Sequence, residues 1–163
     1  MIEDKKRSFE SSLLSSYQSA TAVLSNGNEF KCLINPNKIS MEADDKMLSI
    51  SWDAGVSCGD MIEWKENGTH WIIYSQYLQE IAYFRGLMRQ CADEAIEING
   101  KRFWYYLKGP DEKSIDWQKT KHFIFNDLNY SYSLEIYISN TKETNEFFQR
   151  FKKCKIKGKT FTV

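Results

Sequence analysis

The chain carries its clearest pattern of apolar and polar positions in residues 59–91, where aromatic and β-branched runs flank Asn67-Gly68. An Asn-Gly pair suits a two-residue type I′ loop, because both loop positions need positive φ angles. The pattern therefore predicts a β-hairpin in which Trp64 faces Trp71 on the buried side. The other predicted cross-strand pairs are Ile62 with Ile73, Lys65 with His70, and Glu63 with Ile72.

A second Asn-Gly pair, at residues 99–100, predicts another hairpin with the same type of turn. Its register sets Glu97 opposite Arg102 as an ion pair on one face. Ile96 opposite Phe103 then forms an apolar pair on the other face.

Four further segments have the pattern of strands, namely residues 29–34, 46–52, 130–138 and 152–163, the last with a turn at Gly158. Within residues 46–52 we expect Leu48, Ile50 and Trp52 to face inward. The alternation in residues 130–138 predicts a buried face formed by Tyr130, Tyr132, Leu134, Ile136 and Ile138, and an outer face that includes Tyr137.

The apolar spacing in residues 76–91 fits both an amphipathic helix and a β-strand. Gly86 lies in the middle of this segment, where it would destabilise a helix by about 1 kcal/mol or mark a bulge in a strand. We therefore favour a strand and keep a helix as the alternative. The helical stripe would be Tyr77, Ile81, Phe84 and Met88, whereas the strand face would be Ile81, Tyr83, Leu87 and Cys91.

Residues 3–25 have the pattern of an amphipathic helix, with apolar residues every three or four positions among serines and charges. The stripe consists of Phe9, Leu13, Tyr17, Ala20 and Leu24. A serine-rich helix has low stability in isolation, so we expect it to dock on its own domain or on a neighbouring protein.

These elements predict a mainly β fold, an antiparallel β-barrel or sandwich built from Asn-Gly hairpins. Asn140 and Glu143 resemble a capping box and predict a short C-terminal helix with Phe147, Phe148 and Phe151 on its apolar side. We assign residues 1–26 to an N-terminal amphipathic helix and residues 27–163 to a single β-rich domain.

Composition and charge exclude several classes of partner. Lys plus Arg and Asp plus Glu are both 22, so the formal net charge is 0 and no global field draws the chain to DNA or membranes. No segment has the length of a signal peptide core or of a bilayer span, so we expect no membrane partner. The cysteines are widely spaced and are predicted to be reduced thiols in a cytosolic protein. They are Cys32, Cys58, Cys91 and Cys154.

Candidate chemistry is sparse. His70 and His122 are the histidines, and neither has a neighbour at metal-ligand spacing. The sequence contains no nucleotide-binding, acyl-transfer or zincin motif. We therefore predict a non-enzymatic protein without a cofactor; an enzyme would require distant carboxylates to converge in a pocket.

A basic run in residues 150–159 is a candidate contact surface that could follow phosphates. Its members are Arg150, Lys152, Lys153, Lys155, Lys157 and Lys159. Together with the aromatic residues, which could stack bases, this run supports the alternative of a nucleic-acid-binding β-barrel. A solvated face and core packing are the simpler explanations of the two features.

Several blocks of the sequence resemble one family. They are residues 44–49, 59–64, 69–74, 79–86 and 88–91, in which DDK, GD, THWIIY, AYFRG and a terminal Cys recur in the family's order, with Gln90 in place of an arginine. KRFWYYLKGP and FFQRFKKCKIKGKTFTV resemble later blocks. The family comprises structural proteins encoded beside the portal and capsid genes of tailed phages and prophages of Gram-positive bacteria.

The resemblance implies a virion neck component of the head-closure or head-tail adaptor type, with a tail or other minor virion protein as an alternative. It implies a β-barrel that assembles as a homo-oligomeric ring in the host cytoplasm, contacts the portal and adjacent neck or tail proteins, and touches packaged DNA non-specifically. We expect Phe9, Leu13, Tyr17 and Leu24 to form its partner interface. Family members usually continue past the position of Val163, so we expect either a short member or a truncated chain. If the chain is truncated, we expect its terminal strand to have an exposed edge.

Overall fold

The computed structural model describes residues 2–36, 45–77, 83–109, 120–127, 133–149, 153–156 and 159–162. The chain separates into two compact units, Met1–Gln90 and Cys91–Val163. This division differs from the predicted single domain over residues 27–163. Its physical basis is that each unit has its own cluster of buried apolar side chains, so each buries a core without the other.

The first unit is a six-stranded antiparallel barrel preceded by a helix. The strands follow the order β1-β2-β3-β6-β5-β4, and β4 pairs with β1 to close the barrel, as the sequence predicted for the fold class. The elements are α1 (Ile2–Ser15), β1 (Ser19–Leu24), β2 (Glu29–Pro36), β3 (Lys46–Ile50), β4 (Met61–Trp64), β5 (Thr69–Tyr77) and β6 (Phe84–Gln90).

The predicted helix over residues 3–25 is too long, because the chain turns at residues 16–18 and continues as β1. The error has a simple geometric cause: residues four apart share a face in a helix and also in a strand, since four is an even number. Ala20 and Ala22 are 2% and 0% exposed and point into the barrel with the period of two that a strand requires.

The first hairpin forms at the predicted position with a different register. Its loop has four residues, Lys65 to Gly68, so Ile62 and not Trp64 is paired with Trp71. The slip moves each pair by two positions, which keeps every side chain on its predicted face. Trp64 therefore still meets Trp71 diagonally, with ring centroids 6.3 Å apart.

The longer loop has a local cause and a tertiary one. Within residues 65–68, Gly68 alone has a positive φ (68°), and the Asn67 side chain accepts hydrogen bonds from the Thr69 backbone N–H and hydroxyl. Across the barrel seam, the Glu66 carboxylate accepts from the backbone N–H of Thr21 at 2.8 Å, and the Lys65 N–H donates to the Thr21 carbonyl at 3.0 Å. The loop thus helps to close the barrel.

The ambiguous segment is a strand on both sides of residues 78–82, which lie outside the described part of the chain. β6 confirms the strand alternative, but the bulge is in β5, where the register shifts between Ile73 and Ser75. Gly86 of β6 pairs with Gln76, close to this bulge. A Cβ atom added to Gly86 would lie 2.9 Å from the Ser75 carbonyl oxygen. The glycine therefore permits a close approach of two backbones.

Trp52 was wrongly assigned to the inward face of β3. Leu48 and Ile50 are 0% and 1% exposed as predicted, but the strand ends at Ile50 and Trp52 begins a 3-10 turn, where it is 48% exposed. The chain leaves this turn through Gly55, which has a φ of 67°.

The second unit contains an open sheet, a separate hairpin and a short helix. The sheet order is β12-β13-β10-β11-β9, with β7 paired to β8. The elements are β7 (Ile96–Ile98), β8 (Lys101–Phe103), β9 (Tyr105–Leu107), β10 (Thr120–Asp127), β11 (Ser133–Ser139), α2 (Lys142–Phe147), β12 (Lys153–Ile156) and β13 (Lys159–Thr162).

The second hairpin has the predicted turn and register. Asn99 and Gly100 have φ angles of 51° and 76°, and in the strand register Glu97 lies opposite Arg102 while Ile96 lies opposite Phe103. The predicted terminal edge is wrong, because β13 pairs with β12 on one side and β10 on the other.

Two details of the second unit also correct the sequence reading. Thr141 and Thr144, and not Asn140 and Glu143, form the capping box of α2. Tyr137 lies on the predicted outer face of β11 but is 1% exposed and stacks with Tyr106 at 6.2 Å between centroids. Ile136 and Ile138 are buried as predicted, whereas residues 130–132, 151 and 158 lie outside the described residues.

We predict that Gly86→Ala destabilises the first unit by about 1–3 kcal/mol, because the added methyl group overpacks the contact between β5 and β6. Urea unfolding monitored by tryptophan fluorescence measures the change. Ser11→Ala, on the exposed side of α1, is the control and should leave the midpoint in place. Equal stability of Gly86→Ala and the unmodified chain would contradict the close approach.

Candidate functional site

α1 docks on the barrel through two aromatic rings and one leucine. Phe9 and Leu13 are each 8% exposed, and the Phe9 ring stacks on Tyr83, which immediately precedes β6, with centroids 4.4 Å apart and planes 10° apart. The Ser19 hydroxyl donates to the Leu13 carbonyl, which ties the end of the helix to β1. The helix is therefore part of the first unit, as the prediction of docking on its own domain required.

A cleft of about 400 Å³ lies between α1 and the barrel wall. The helix supplies one side, and β2, β3 and the start of β6 supply the other. The lining residues are Lys5, Ser8, Phe9, Ser12, Leu33, Asn35, Ser49, Tyr83 and Arg85.

Arg85 gives the cleft its most distinctive chemistry. The Nη2 atom of Arg85 donates to the Tyr83 hydroxyl at 2.8 Å, and its guanidinium carbon lies 5.4 Å from the centroid of the Tyr83 ring. Its Nε atom is buried and finds no hydrogen-bond acceptor in the described part of the chain. With Lys5, the lining carries two positive side chains and no carboxylate.

Burial makes the Cys32 and Cys91 thiols poor nucleophiles. Cys32, Cys58 and Cys91 are free, in agreement with the prediction of reduced cysteines, and the side chain of Cys154 lies outside the description. Burial raises the pKa of the Cys32 thiol to about 12 and also raises the pKa of Cys91. Both therefore remain protonated near neutral pH, and a protonated thiol is a poor nucleophile.

The described residues show neither a candidate metal cluster nor a candidate membrane-spanning helix. They contain no group of three His, Cys, Asp or Glu side chains that could hold a metal ion. Across the same ranges, no helix is both long and apolar enough to cross a bilayer.

A buried ion pair joins three segments of the barrel. Arg89 in β6 donates to both carboxylate oxygens of Asp45, at 2.8 and 3.1 Å, and its guanidinium lies 4.4 Å from the Tyr74 ring centroid. The Tyr74 hydroxyl of β5 donates to the same carboxylate. The Asp45 side chain is 2% exposed, so the loss of either charge would break a buried ion pair, which is strongly destabilising.

The predicted partner interface does not exist as one surface. Phe9 and Leu13 are buried against the barrel, and Leu24 lies in β1, half-buried against the core. Tyr17 is 94% exposed in the turn after α1, and its apolar neighbour Leu14 is 82% exposed. Tyr17 is therefore the exposed member of the predicted stripe, and the exposed Leu14 was not part of it.

The basic run is only partly described. Lys153 and Lys159 are exposed on β12 and β13, and the register puts positions 153 and 155 on the face opposite to Ile156. Arg150, Lys152 and Lys157 lie outside the described residues. Lys159 pairs directly with Ile156 and therefore lies on the other face of the sheet from Lys153, so the two described lysines do not share one face.

The sequence reading missed the cleft. Tyr83 and Arg85 belong to the AYFRG block that carried the family resemblance, but that block gave no physical role to either residue. The structure gives each residue a role. The Tyr83 ring stacks on Phe9 of α1, and the Arg85 guanidinium contributes positive charge to the cleft. For Lys5, the sequence gives no indication of a binding role, because the residue lies in an N-terminal segment with several charges.

We predict that Phe9→Ala detaches α1 and leaves the barrel folded, because the helix loses its ring stack and contacts mainly β1 and β2. Hydrogen exchange followed by mass spectrometry should show faster exchange in residues 2–15 and unchanged exchange in β3 to β6. Leu14→Ala removes an exposed apolar side chain from the same helix and should change neither region. Retained protection of α1 in Phe9→Ala would refute docking through this ring.

We predict that Asp45→Asn lowers the free energy of unfolding of the first unit by roughly 3 kcal/mol, since it removes a buried carboxylate charge that accepts hydrogen bonds from Arg89 and Tyr74. Thermal and urea unfolding measure this loss. Glu29→Gln breaks the exposed pair with Lys65 and should scarcely change the melting temperature. A double variant, Asp45→Leu with Arg89→Met, should recover part of the stability; equal losses at Asp45 and Glu29 would contradict the argument.

Comparison with known families gives a match whose limits agree with the structure. The model of the YomX N-terminal domain matches residues 2–90, more than half of the chain, and the first compact unit ends at Gln90. Comparisons with curated proteins and with solved structures gave no match. The family is named after a gene of an SPbeta-like Bacillus prophage, which agrees with the phage resemblance seen in the sequence. With its helix-capped barrel spanning the matched residues, the chain belongs to the phage-associated YomX N-terminal domain family.

Proposed function

We propose that this protein is a non-enzymatic structural component of a tailed phage or prophage virion that forms a ring in the neck. In this role it is a head-closure or head-tail adaptor protein between portal and tail. Membership of the YomX family supports the phage association. The observation that supports a structural role is the exposure of two apolar side chains, Leu14 on α1 and Tyr17 in the turn that follows it. The helix itself is docked on the barrel through Phe9.

The exposed pair suits contact with a second copy of the chain. In a cyclic ring, one surface of each subunit meets a different surface of the next, so each subunit needs an outward-facing contact on a rigid element. α1 provides such an element, because its buried side is fixed to the barrel while Leu14 points outward. Water is excluded from Leu14 and Tyr17 only when a neighbouring subunit covers them.

The proposed location follows from the same role. The ring assembles in the host cytoplasm and becomes part of the virion neck, where it contacts the portal and adjacent neck or tail proteins. Packaged DNA passing the neck would meet the protein without sequence-specific contacts. Neither catalysis nor a cofactor enters this proposal.

Electron microscopy of induced phage particles tests the location. An epitope-tagged copy of this protein, decorated with gold-labelled antibody, should place label at the junction of capsid and tail. Label on the capsid shell, at the tail tip or along the tail tube would refute the neck and favour a tail or other minor virion protein. Untagged particles treated with the same antibody are the control.

We predict that the double variant Leu14→Ser with Tyr17→Ser abolishes self-association of the purified full-length chain. Both side chains are exposed in the single subunit, so the variant should retain its melting temperature. Analytical ultracentrifugation measures the loss of oligomer, and negative-stain images show whether rings persist. Ile124→Ser, which removes a 50% exposed apolar side chain from β10, is the matched control and should leave the oligomer intact. Rings formed by the double variant would overturn this interface.

A nucleic-acid-binding protein is the second candidate, favoured by the exposure of Lys153 and Lys159. These lysines belong to the open sheet of the second unit and not to the barrel. The aromatic part of that hypothesis is weakened by the structure, because Trp71, Phe84 and Tyr105 are at most 3% exposed. Binding to single-stranded and duplex DNA at low and moderate salt tests it. Salt-sensitive affinity would support this function, and its absence would remove it.

A further inference from the structure

We propose that the cleft between α1 and the barrel binds a small oxyanion, a phosphate or carboxylate group, held by Arg85 and Lys5. This inference goes beyond the proposed neck role and does not depend on it. It requires only the first unit, in which every lining residue of the cleft lies.

The hydrogen-bonding state of Arg85 is the first argument. A guanidinium group has five N–H donors in a planar fork that matches the two oxygens of a carboxylate or phosphate. Here one terminal nitrogen is satisfied by the Tyr83 hydroxyl, while the buried Nε has no acceptor among the described residues. A buried donor without an acceptor is costly, and an oxyanion in the cleft would supply acceptors to the fork after a small turn of the side chain.

The charge of the lining is the second argument. Lys5 and Arg85 face the same cleft from opposite sides, one on the helix and one on β6, and none of the lining side chains is acidic. Such a local excess of positive charge in a concave site attracts anions even though the whole chain has formal net charge 0.

Neutral donors complete the site. The Ser12 hydroxyl already donates to the Ser8 carbonyl, but Ser8, Ser49 and the Asn35 amide also line the cleft. Hydroxyl and amide groups of this kind orient an oxyanion once positive charge has drawn it in. A volume of about 400 Å³ is within the range of small-molecule sites and admits a phosphate ester or a dicarboxylate.

A bound oxyanion would also strengthen the docking of α1. Because Lys5 belongs to the helix and Arg85 to the barrel, an anion between them links the two elements, and a ligand that binds only the docked state stabilises it. The ligand would thus act on the helix that carries Leu14.

Titrations of the full-length protein test the proposal. Inorganic phosphate and succinate are added in separate experiments, with chloride salt adjusted to hold the ionic strength constant. Nuclear magnetic resonance follows the chemical shifts of the Arg85 Nε–H group and of the α1 backbone amides. We expect saturable shifts with at least one anion. Saturation with phosphate alone or succinate alone identifies the group that the cleft prefers, and either result supports the proposal.

Variants connect any binding to the cleft. Arg85→Gln and Lys5→Gln should each weaken binding about tenfold or more, the loss expected when a charge-assisted hydrogen bond is removed. Lys5 is exposed, so Lys5→Gln keeps the test valid if Arg85→Gln fails to fold. Lys31→Gln removes an exposed lysine outside the cleft and should bind like the unmodified chain. Shifts that never saturate, or undiminished binding by Lys5→Gln, would overturn the proposal.

Discussion

Closure of the barrel between β1 and β4 is the constraint on which the first unit depends. Three residue pairs form this seam, from Ala22 with Trp64 to Leu24 with Ile62, and Glu66 and Lys65 extend it by binding both backbone groups of Thr21. Partial burial acts to raise the pKa of Glu66, but hydrogen bonds from its own and the Thr21 N–H groups outweigh it and lower the pKa. The carboxylate is therefore charged where the seam needs an acceptor.

The position of the helix follows from that seam. β1 starts at Ser19, only a short turn after α1 ends at Ser15, so the closure of β1 into the barrel brings the helix against the wall. The Phe9 stack on Tyr83 then fixes its orientation and encloses the cleft beside Arg85. Thus the cleft, the buried side of the helix and the exposed Leu14 all result from one strand pairing.

Local patterns predicted those features of the fold that depend on local chemistry. The Asn99-Gly100 hairpin, the strand character of residues 84–90 and the buried Leu48 and Ile50 all follow from turn residues or period-two alternation. Patterns failed where a tertiary contact decided the outcome. The four-residue loop at Asn67-Gly68 depends on Thr21, which is 46 positions away from Asn67 in the chain, and no local rule connects them.

The candidate site was harder to predict than the fold. Lys5 and Arg85 are 80 residues apart in the sequence and line the same cleft only because the helix docks on the barrel. The helical stripe was misleading for a different reason, since its spacing of four fits both the helix up to Leu13 and the strand from Ala20. Burial of Phe9 and exposure of Tyr17 depend on where the helix ends, and the sequence pattern contains no break there.

The two units differ in how their strands could associate with other chains. The six strands of the barrel pair in a closed circle, whereas the described sheet of the second unit ends at β9 and β12. An outer strand exposes backbone groups that can recruit a foreign strand, and lysines along it discourage such pairing. β12 begins at Lys153 and includes Lys155, so part of the basic run lies on a sheet margin. Its positive charge can therefore protect this protein from uncontrolled fibre-like aggregation.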